Sequence, residues 1–341
     1  MTTRKFVLSL AVATVFLIVV VLLAAGLGTE PVSWISAISD RTSVDSTILF
    51  EVRLPRIALS AVAGAGLAIV GAAFQALLRN PLAEPYVLGV SGGAALGATI
   101  IIAFGIPIAA ACSAIGGNTV LTMLVPAAAM AGGIAATAIV YAIARAGSHG
   151  SATSILLAGV VVNAIAASLI TFIKTLVSAS TSQDLLFWLM GFIDVPTSTT
   201  LIAITLYVFV GCVALIADSG RLNLLSLGAE PAQHLGVNVY SLERRVFVVS
   251  SLIVGAIVST TGLIGFVGLV VPHGLRRVLG ADHRLILPMS MLVGAAVLVL
   301  CDLVSRAMFV WLGTEPPVGA VTALVGGPLF LVLLRKKAGL V

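Results

Sequence analysis

Charge is what this sequence has least of. Only 9% of its 341 residues are Asp, Glu, Lys or Arg, where a soluble domain carries about a quarter. Hydrophobic residues make up 60% and the mean hydropathy is +1.20, which excludes a water-soluble globular protein and places the chain in lipid. Cysteine is almost as rare. Cys112, Cys212 and Cys301 are odd in number, far apart and set in apolar runs, so neither a disulfide framework nor a CxxC site is expected. The four histidines are equally dispersed, and no metal ligand set is expected. The phosphate-cradling pattern G-x-x-x-x-G-K-[ST] is missing, as is any Ser/His/Asp or paired-carboxylate constellation that would suit a hydrolase. The net charge of +5 and pI near 9.4 could point to nucleic acid. They are better read as loop Lys and Arg following the positive-inside rule, with no nucleic-acid partner.

What fills the chain instead is a series of apolar runs. The first, Phe6 to Leu27, has 22 residues; secretory signals have cores of roughly 7–15. Ala24-Ala25-Gly26 could imitate a cleavage site, but the length predicts a retained span. Further runs cover residues 57–78, 87–106, 119–144, 152–176, 199–217, 286–306 and 317–334. The stretch 246–279 is too long for one span and just long enough for two short ones, and charge decides between them. With two spans there are ten helices in all and both termini are cytoplasmic; 13 of the 18 Lys and Arg then lie inside and 5 outside. A single span would leave 8 inside and 10 outside. The prediction is an all-α, ten-helix membrane protein of one domain over 1–341. The extra break falls near Ser259-Thr260-Thr261-Gly262, where small and hydroxyl residues can satisfy interrupted backbone groups.

Glycines recur inside the spans (Gly64, Gly66 and Gly71; Gly89, Gly93 and Gly97; Gly262, Gly265 and Gly268). This predicts helices packed through small residues, since apolar packing between helices gains little over packing against lipid tails. Two connecting segments stand out. Asn80-Pro81-Leu82-Ala83-Glu84-Pro85 is a proline-fixed turn. Residues 219–241 read as two short helices, the second started by Pro231 and each closed by a glycine, Gly228 or Gly236. A half-apolar helical knob of this kind either docks a protein partner or lies on the lipid surface. Arg53 and Arg56 pose a separate question, because they sit at the end of their span where the positive-inside rule expects no positive charge. Asp302 is the main ionisable candidate inside the spans, and Arg306 one turn on makes it an i,i+4 pair.

The motifs RLPR (53–56), GAAFQALLRNPLAEPYVLGVSGGAALGA (71–98), ILLAG (155–159), LNLLSLGAEPAQHLGV (222–237), GFVGLVVPHGLRR (265–277), DHRLILP (282–288) and EPPVGAVTALVGGPLF (315–330) together resemble the FecCD family. Order and spacing are kept from about residue 50 to 336. Pro316, where the family usually has an aliphatic residue, and Pro231 are departures. The resemblance implies a permease subunit of an ATP-driven ABC importer for a metal chelate (iron-siderophore, haem or cobalamin) in the bacterial inner membrane. It implies a homodimer working by alternating access with two cytoplasmic ATPases and an extracytoplasmic solute-binding protein. ATP and Mg would be bound by the ATPases, so the chain would be no enzyme and would need no cofactor.

Residue roles follow from the same resemblance. Arg53, Arg56 and Arg306 would receive carboxylates of the binding protein; the plainer readings are headgroup contacts or ion pairs with Glu51 and Asp302. Asn80 and Leu82, with Ser151 and Thr153, would form a cytoplasmic gate. Leu224, Leu225, Gly228, Glu230, Leu235 and Gly236, within 219–241, would couple to the ATPase. The small residues of the fifth span make Ala167 and Thr171 pathway candidates. Asn163 is either pathway lining or the donor of an interhelical hydrogen bond. The competing class is an ion-coupled secondary transporter, which would place ionisable residues at mid-membrane.

Overall fold

The computed structural model describes residues 3–86, 89–111, 117–146 and 152–338, with side chains described for 4–86, 89–105, 124–144 and 154–332, and its regular elements there are all helices. The helices are α1 (Thr3–Gly26), α2 (Trp34–Ser39), α3 (Val44–Thr47), α4 (Leu54–Leu77), α5 (Val90–Ala111), α6 (Gly117–Ala146), α7 (Ala152–Leu176) and α8 (Ala179–Met190). After these come α9 (Ser198–Ala217), α10 (Ser219–Leu225), α11 (Ala229–His234), α12 (Val239–Thr261), α13 (Val267–Leu279), α14 (His283–Leu312) and α15 (Val318–Ala338). A π-helical turn, Ile48–Arg53, leads into α4. Among the described residues, six helices are long and apolar enough to cross a bilayer: 4–26, 44–77, 124–144, 154–176, 198–217 and 283–312. Shorter apolar helices cover 90–105 and 318–332.

The chain packs as two compact units. The first is made of Met1–Ala72, Ile193–Gly220 and Ile264–Val341, the second of Ala73–Phe192 and Arg221–Leu263. In the first, Val20, Ala24, Leu49, Ile57, Ala296 and Val299 form the core between α1, the π-turn, α4 and α14. The small residues act there as expected in lipid. A Cβ on Gly64 would lie 2.3 Å from the Gly294 carbonyl oxygen, and one on Gly71 would lie 1.8 Å from that of Gly268. The backbones of α4, α13 and α14 can approach this closely only because these positions are bare. The outward faces are greasy: Leu8, Val12 and Val15 on α1, and Ile202, Leu206 and Phe209 on α9, are exposed, as suits side chains surrounded by acyl chains.

The second unit uses the same device. Gly93 on α5 and Gly132 on α6 face each other so that a Cβ on either would lie 2.2–2.3 Å from the other's carbonyl oxygen. Phe74, Phe247 and Tyr141 stack beside them with ring centroids 5.4 and 5.6 Å apart.

The interruption of 246–279 falls where the hydroxyl residues place it. α12 ends at Thr261, and Gly262 takes a positive φ of 64° with the Trp188 carbonyl lying 2.3 Å from where its Cβ would be; no other residue fits there. The Thr261 hydroxyl donates to the Ile257 carbonyl at 3.0 Å and that of Thr260 to the same oxygen at 2.9 Å, so the hydroxyls turn back onto the last turn of their own helix, while the Gly262 amide donates to the Val258 carbonyl. Phe266, in the left-handed region at φ 68°, opens α13.

Candidate functional site

The arginines at the start of α4 gather acceptors from three directions within the first unit. Asp302, fully buried on α14, accepts from Arg56 Nε through Oδ1 (2.9 Å) and from Arg306 Nε through Oδ2 (3.1 Å). Arg56 reaches Glu315 as well, 2.9 Å from its Nη1. Arg53 donates to the carbonyls of Ala25 (3.0 Å), Gly26 (3.3 Å) and Glu30, and Arg306 to those of Ala24 (3.2 Å) and Leu27 (3.4 Å). The last carbonyls of α1 have no intrahelical donors and carry the negative end of its dipole. Two guanidinia satisfy them. The charge at the wrong end of α4 is therefore matched inside the chain, by Asp302, Glu315 and the end of α1.

Of the three arginines expected to dock a binding protein, two are buried in this chain. Arg53 and Arg306 are 5% and 4% exposed, Arg53 held on the end of α1 and Arg306 on both α1 and Asp302. Arg56, at 14%, pairs with Glu315, which is itself 31% exposed. Asp302 is the expected partner of Arg306; Glu51 is not among the partners of these arginines. Glu315 went unforeseen.

In the second unit, α7 presents Val160, Asn163, Ala167, Ile170, Thr171 and Lys174 along one face, all lining an open cavity of about 590 Å³. The spacing of three and four is that of one helical stripe, so the three pathway candidates Asn163, Ala167 and Thr171 converge here. Tyr86, Ser91, Gly92 and Ala95 close the opposite wall. Asn163 is hydrogen-bonded to backbone and also lines the cavity. Its Oδ1 accepts from the Gly92 amide at 3.2 Å and its Nδ2 donates to the Tyr86 carbonyl, tying both Tyr86 and the first turn of α5 to α7. The Ser168 and Thr171 hydroxyls return to their own helix, each 2.9 Å from the carbonyl four residues back.

At the foot of this wall, the Asn80 side chain accepts from the Leu82 amide at 2.9 Å and holds the turn. Leu82 points out, exposed. Ser151 lies outside the described residues, as does the Thr153 side chain. Sequence reading passed over Glu84 in this turn. It is half-buried, one of its oxygens has no hydrogen-bond partner among the described residues, and burial pushes its carboxyl up to about 7.

Residues 219–241 do form two short helices, α10 and α11, with Gly228 between them at φ 126° and Gly236 closing the second at φ 84°. Pro231 is accommodated in the first turn of α11, where no intrahelical donor is needed. Of the leucines assigned to coupling, Leu224 is half-buried and Leu235 is 58% exposed, but Leu225 is 2% exposed and belongs to the core of the knob. The exposed neighbour of Leu235 in character is Leu227, at 63%. Leu222, Leu224, Leu225 and Leu227 share seven-residue α10 and its end, too short for periodicity to settle which side faces in. Glu230 is exposed.

Small-residue helix crossings, a largely apolar cavity with a few amide and hydroxyl groups in its wall and a helical knob between spans are features of a multi-pass membrane protein. The chain belongs to the FecCD transport family, which it matches over residues 14–336. It is 41% identical to the cobalamin import system permease protein of Halobacterium salinarum over 85% of this chain and 74% of that one. It is 36% identical to the hemin transport system permease protein of Yersinia pestis over 85% and 84%. A solved inward-facing structure, described as of the metal-chelate ABC transporter type, superposes with a TM-score of 0.82 at 30% identity, covering 97% of this chain and 99% of that chain. These relatives are permease subunits, membrane components without enzymatic activity of their own.

Proposed function

We propose that the chain forms half of the translocation pathway of an ABC importer for a metal chelate, working by alternating access as a homodimer in the bacterial inner membrane. The observation that carries this reading is the convergence of Asn163, Ala167 and Thr171 on one cavity wall in a chain that matches a family of importer permeases nearly end to end. Ten spans with both termini cytoplasmic suit the distribution of Lys and Arg. α12 and α13 serve as the two short spans, and the α10–α11 knob then faces the ATPases. Two ATPase subunits bind ATP and Mg, and the permease needs no cofactor of its own.

A solute-binding protein delivers the cargo at the Arg56 end of α4. There a partner carboxylate exchanges with Glu315 on Arg56, while Arg53 and Arg306 keep the end of α1 in place beneath it. The 80–86 turn, with Asn80 and Leu82, and the start of α7 close the cytoplasmic side. The rival class, an ion-coupled carrier, needs an ionisable group free to load and release an ion. Asp302 is instead held by two arginines.

The deciding experiment uses the permease, its ATPases and its binding protein in proteoliposomes. Uptake of haem or cobalamin should require ATP inside the ATPase compartment and ignore an imposed proton gradient. Uptake driven by the gradient without ATP would replace this reading with the secondary carrier.

A further inference from the structure

Lys174 is the one charged residue among those lining the 590 Å³ cavity of the second unit. It stands on the α7 stripe one turn beyond Thr171 and Ile170, half-buried, and makes no hydrogen bond or ion pair with a described residue. The rest of the wall is neutral: amide and hydroxyl groups from Asn163, Thr171, Ser91 and Tyr86, and apolar surface from Val160 and Leu189. Asp184, on the neighbouring α8, is exposed and lies outside the lining. An ammonium left uncompensated beside lipid is costly, and the usual answers are to pair it or to snorkel it into water. Here it is left unpaired at the edge of a cavity with no acid in its wall, so the field inside is positive. The hydroxyls of Thr171 and Ser168 are turned back onto their own helix carbonyls, and Asn163 is engaged by backbone. Thr171 and Asn163 therefore have their donors engaged within the protein.

We propose that this cavity takes an anionic cargo, with Lys174 as the side chain that reads its charge. The inference rests on the pathway reading above and deepens it: among rigid chelates, those carrying free carboxylates or other negative groups are favoured over cationic ones. Lysine suits a passing solute, since a point charge on a flexible stem attracts without the bidentate grip of an arginine.

The test probes the field directly and does not require knowing the cargo. In the complete importer in proteoliposomes, with Cys112, Cys212 and Cys301 replaced by Ser, Thr171→Cys places a thiol one turn from Lys174. Its modification rates are measured with the anionic 2-sulfonatoethyl and the cationic 2-(trimethylammonium)ethyl methanethiosulfonates, with and without nucleotide. The anionic-to-cationic rate ratio should fall about tenfold in Lys174→Ala, equivalent to about 1.4 kcal/mol, fall further in Lys174→Glu, and be kept in Lys174→Arg. A thiol that reacts with an unchanged ratio in all four backgrounds overturns the charge inference and leaves the pathway reading standing. A thiol that reacts with neither reagent in any nucleotide state overturns the pathway reading itself. Comparing ratios within one folded complex removes any general loss of protein from the result.

Discussion

At the scale of single residues, the arginines at the start of α4 show how buried charge is handled in a chain with so little of it. Asp302 compensates two guanidinia, so its removal would leave both uncompensated in a dry site, a change that costs about 3–5 kcal/mol when a buried pair is broken. Glu315 differs in being partly exposed and in holding only Arg56. If a partner's carboxylate displaces it, Glu315→Gln removes the competitor. Affinity for the binding protein, measured on permease in nanodiscs, should then rise severalfold and depend more steeply on salt; an unchanged or lowered affinity would mean that docking does not run through Arg56.

Glu84 supplies a second residue-scale prediction. Its packed-state carboxyl titrates at about 7, against an ordinary value of 4.5, because burial disfavours the charge. The packed turn therefore binds a proton that the open turn releases between those two values. Its stability is fully present below about pH 4.5 and is lost as the pH rises through 7. Amide exchange of residues 80–86, corrected for intrinsic rates, should become more protected on going from pH 8 to pH 6, and Glu84→Gln should be protected at both. Identical pH profiles for the two proteins would remove Glu84 from this role. None of this was legible in the sequence, where a glutamate between two prolines reads as solvated loop. What buries it is packing around the turn, which no local pattern records.

At the scale of elements, the sequence was informative wherever composition dictates geometry. Hydroxyl residues followed by Gly262 mark the end of α12, since the chain needs a positive φ there. The Gly93–Gly132 and Gly64–Gly294 approaches follow from recurring glycines, although which glycine meets which depends on the helix crossing and could not be read. The α10–α11 knob was legible as two helices but not in its facing. Leu225, expected at the ATPase, is buried, and Leu227, given no role in the sequence reading, is out. Leu227→Asp with Leu235→Asp should leave the permease folded and strip the ATPases from it on copurification. Leu225→Ala should instead lower thermal stability by about 2–5 kcal/mol, as core truncations do, while ATPases stay bound to whatever remains folded. Retention of the ATPases by the double aspartate variant would favour a knob lying on lipid.

At the scale of the whole molecule, the exposed apolar stripe of α7 (Leu157, Val161, Ile165, Leu169 and Phe172) and the cavity beside it belong to one helix. A cavity open on one side in a single chain is completed by whatever covers it, and a two-fold partner presenting the same wall would double the cavity and bring two copies of the 80–86 turn to one axis. Asn80 is a poor reporter of that meeting, because its side chain holds the turn through the Leu82 amide, and replacing it would loosen the structure being tested. Leu82 is exposed and makes no such bond through its side chain. In a background with Cys112 replaced by Ser, leaving only the buried thiols of Cys212 and Cys301, Leu82→Cys should form a disulfide between two copies on mild oxidation. ATP-driven uptake should stop with it and return on reduction. The cross-link should form in the nucleotide state whose cytoplasmic side is closed and be slow in the other, because a disulfide needs Cα atoms within about 7 Å. Absence of the cross-linked dimer in every nucleotide state would place the turn away from the axis and assign closure to another part of the chain.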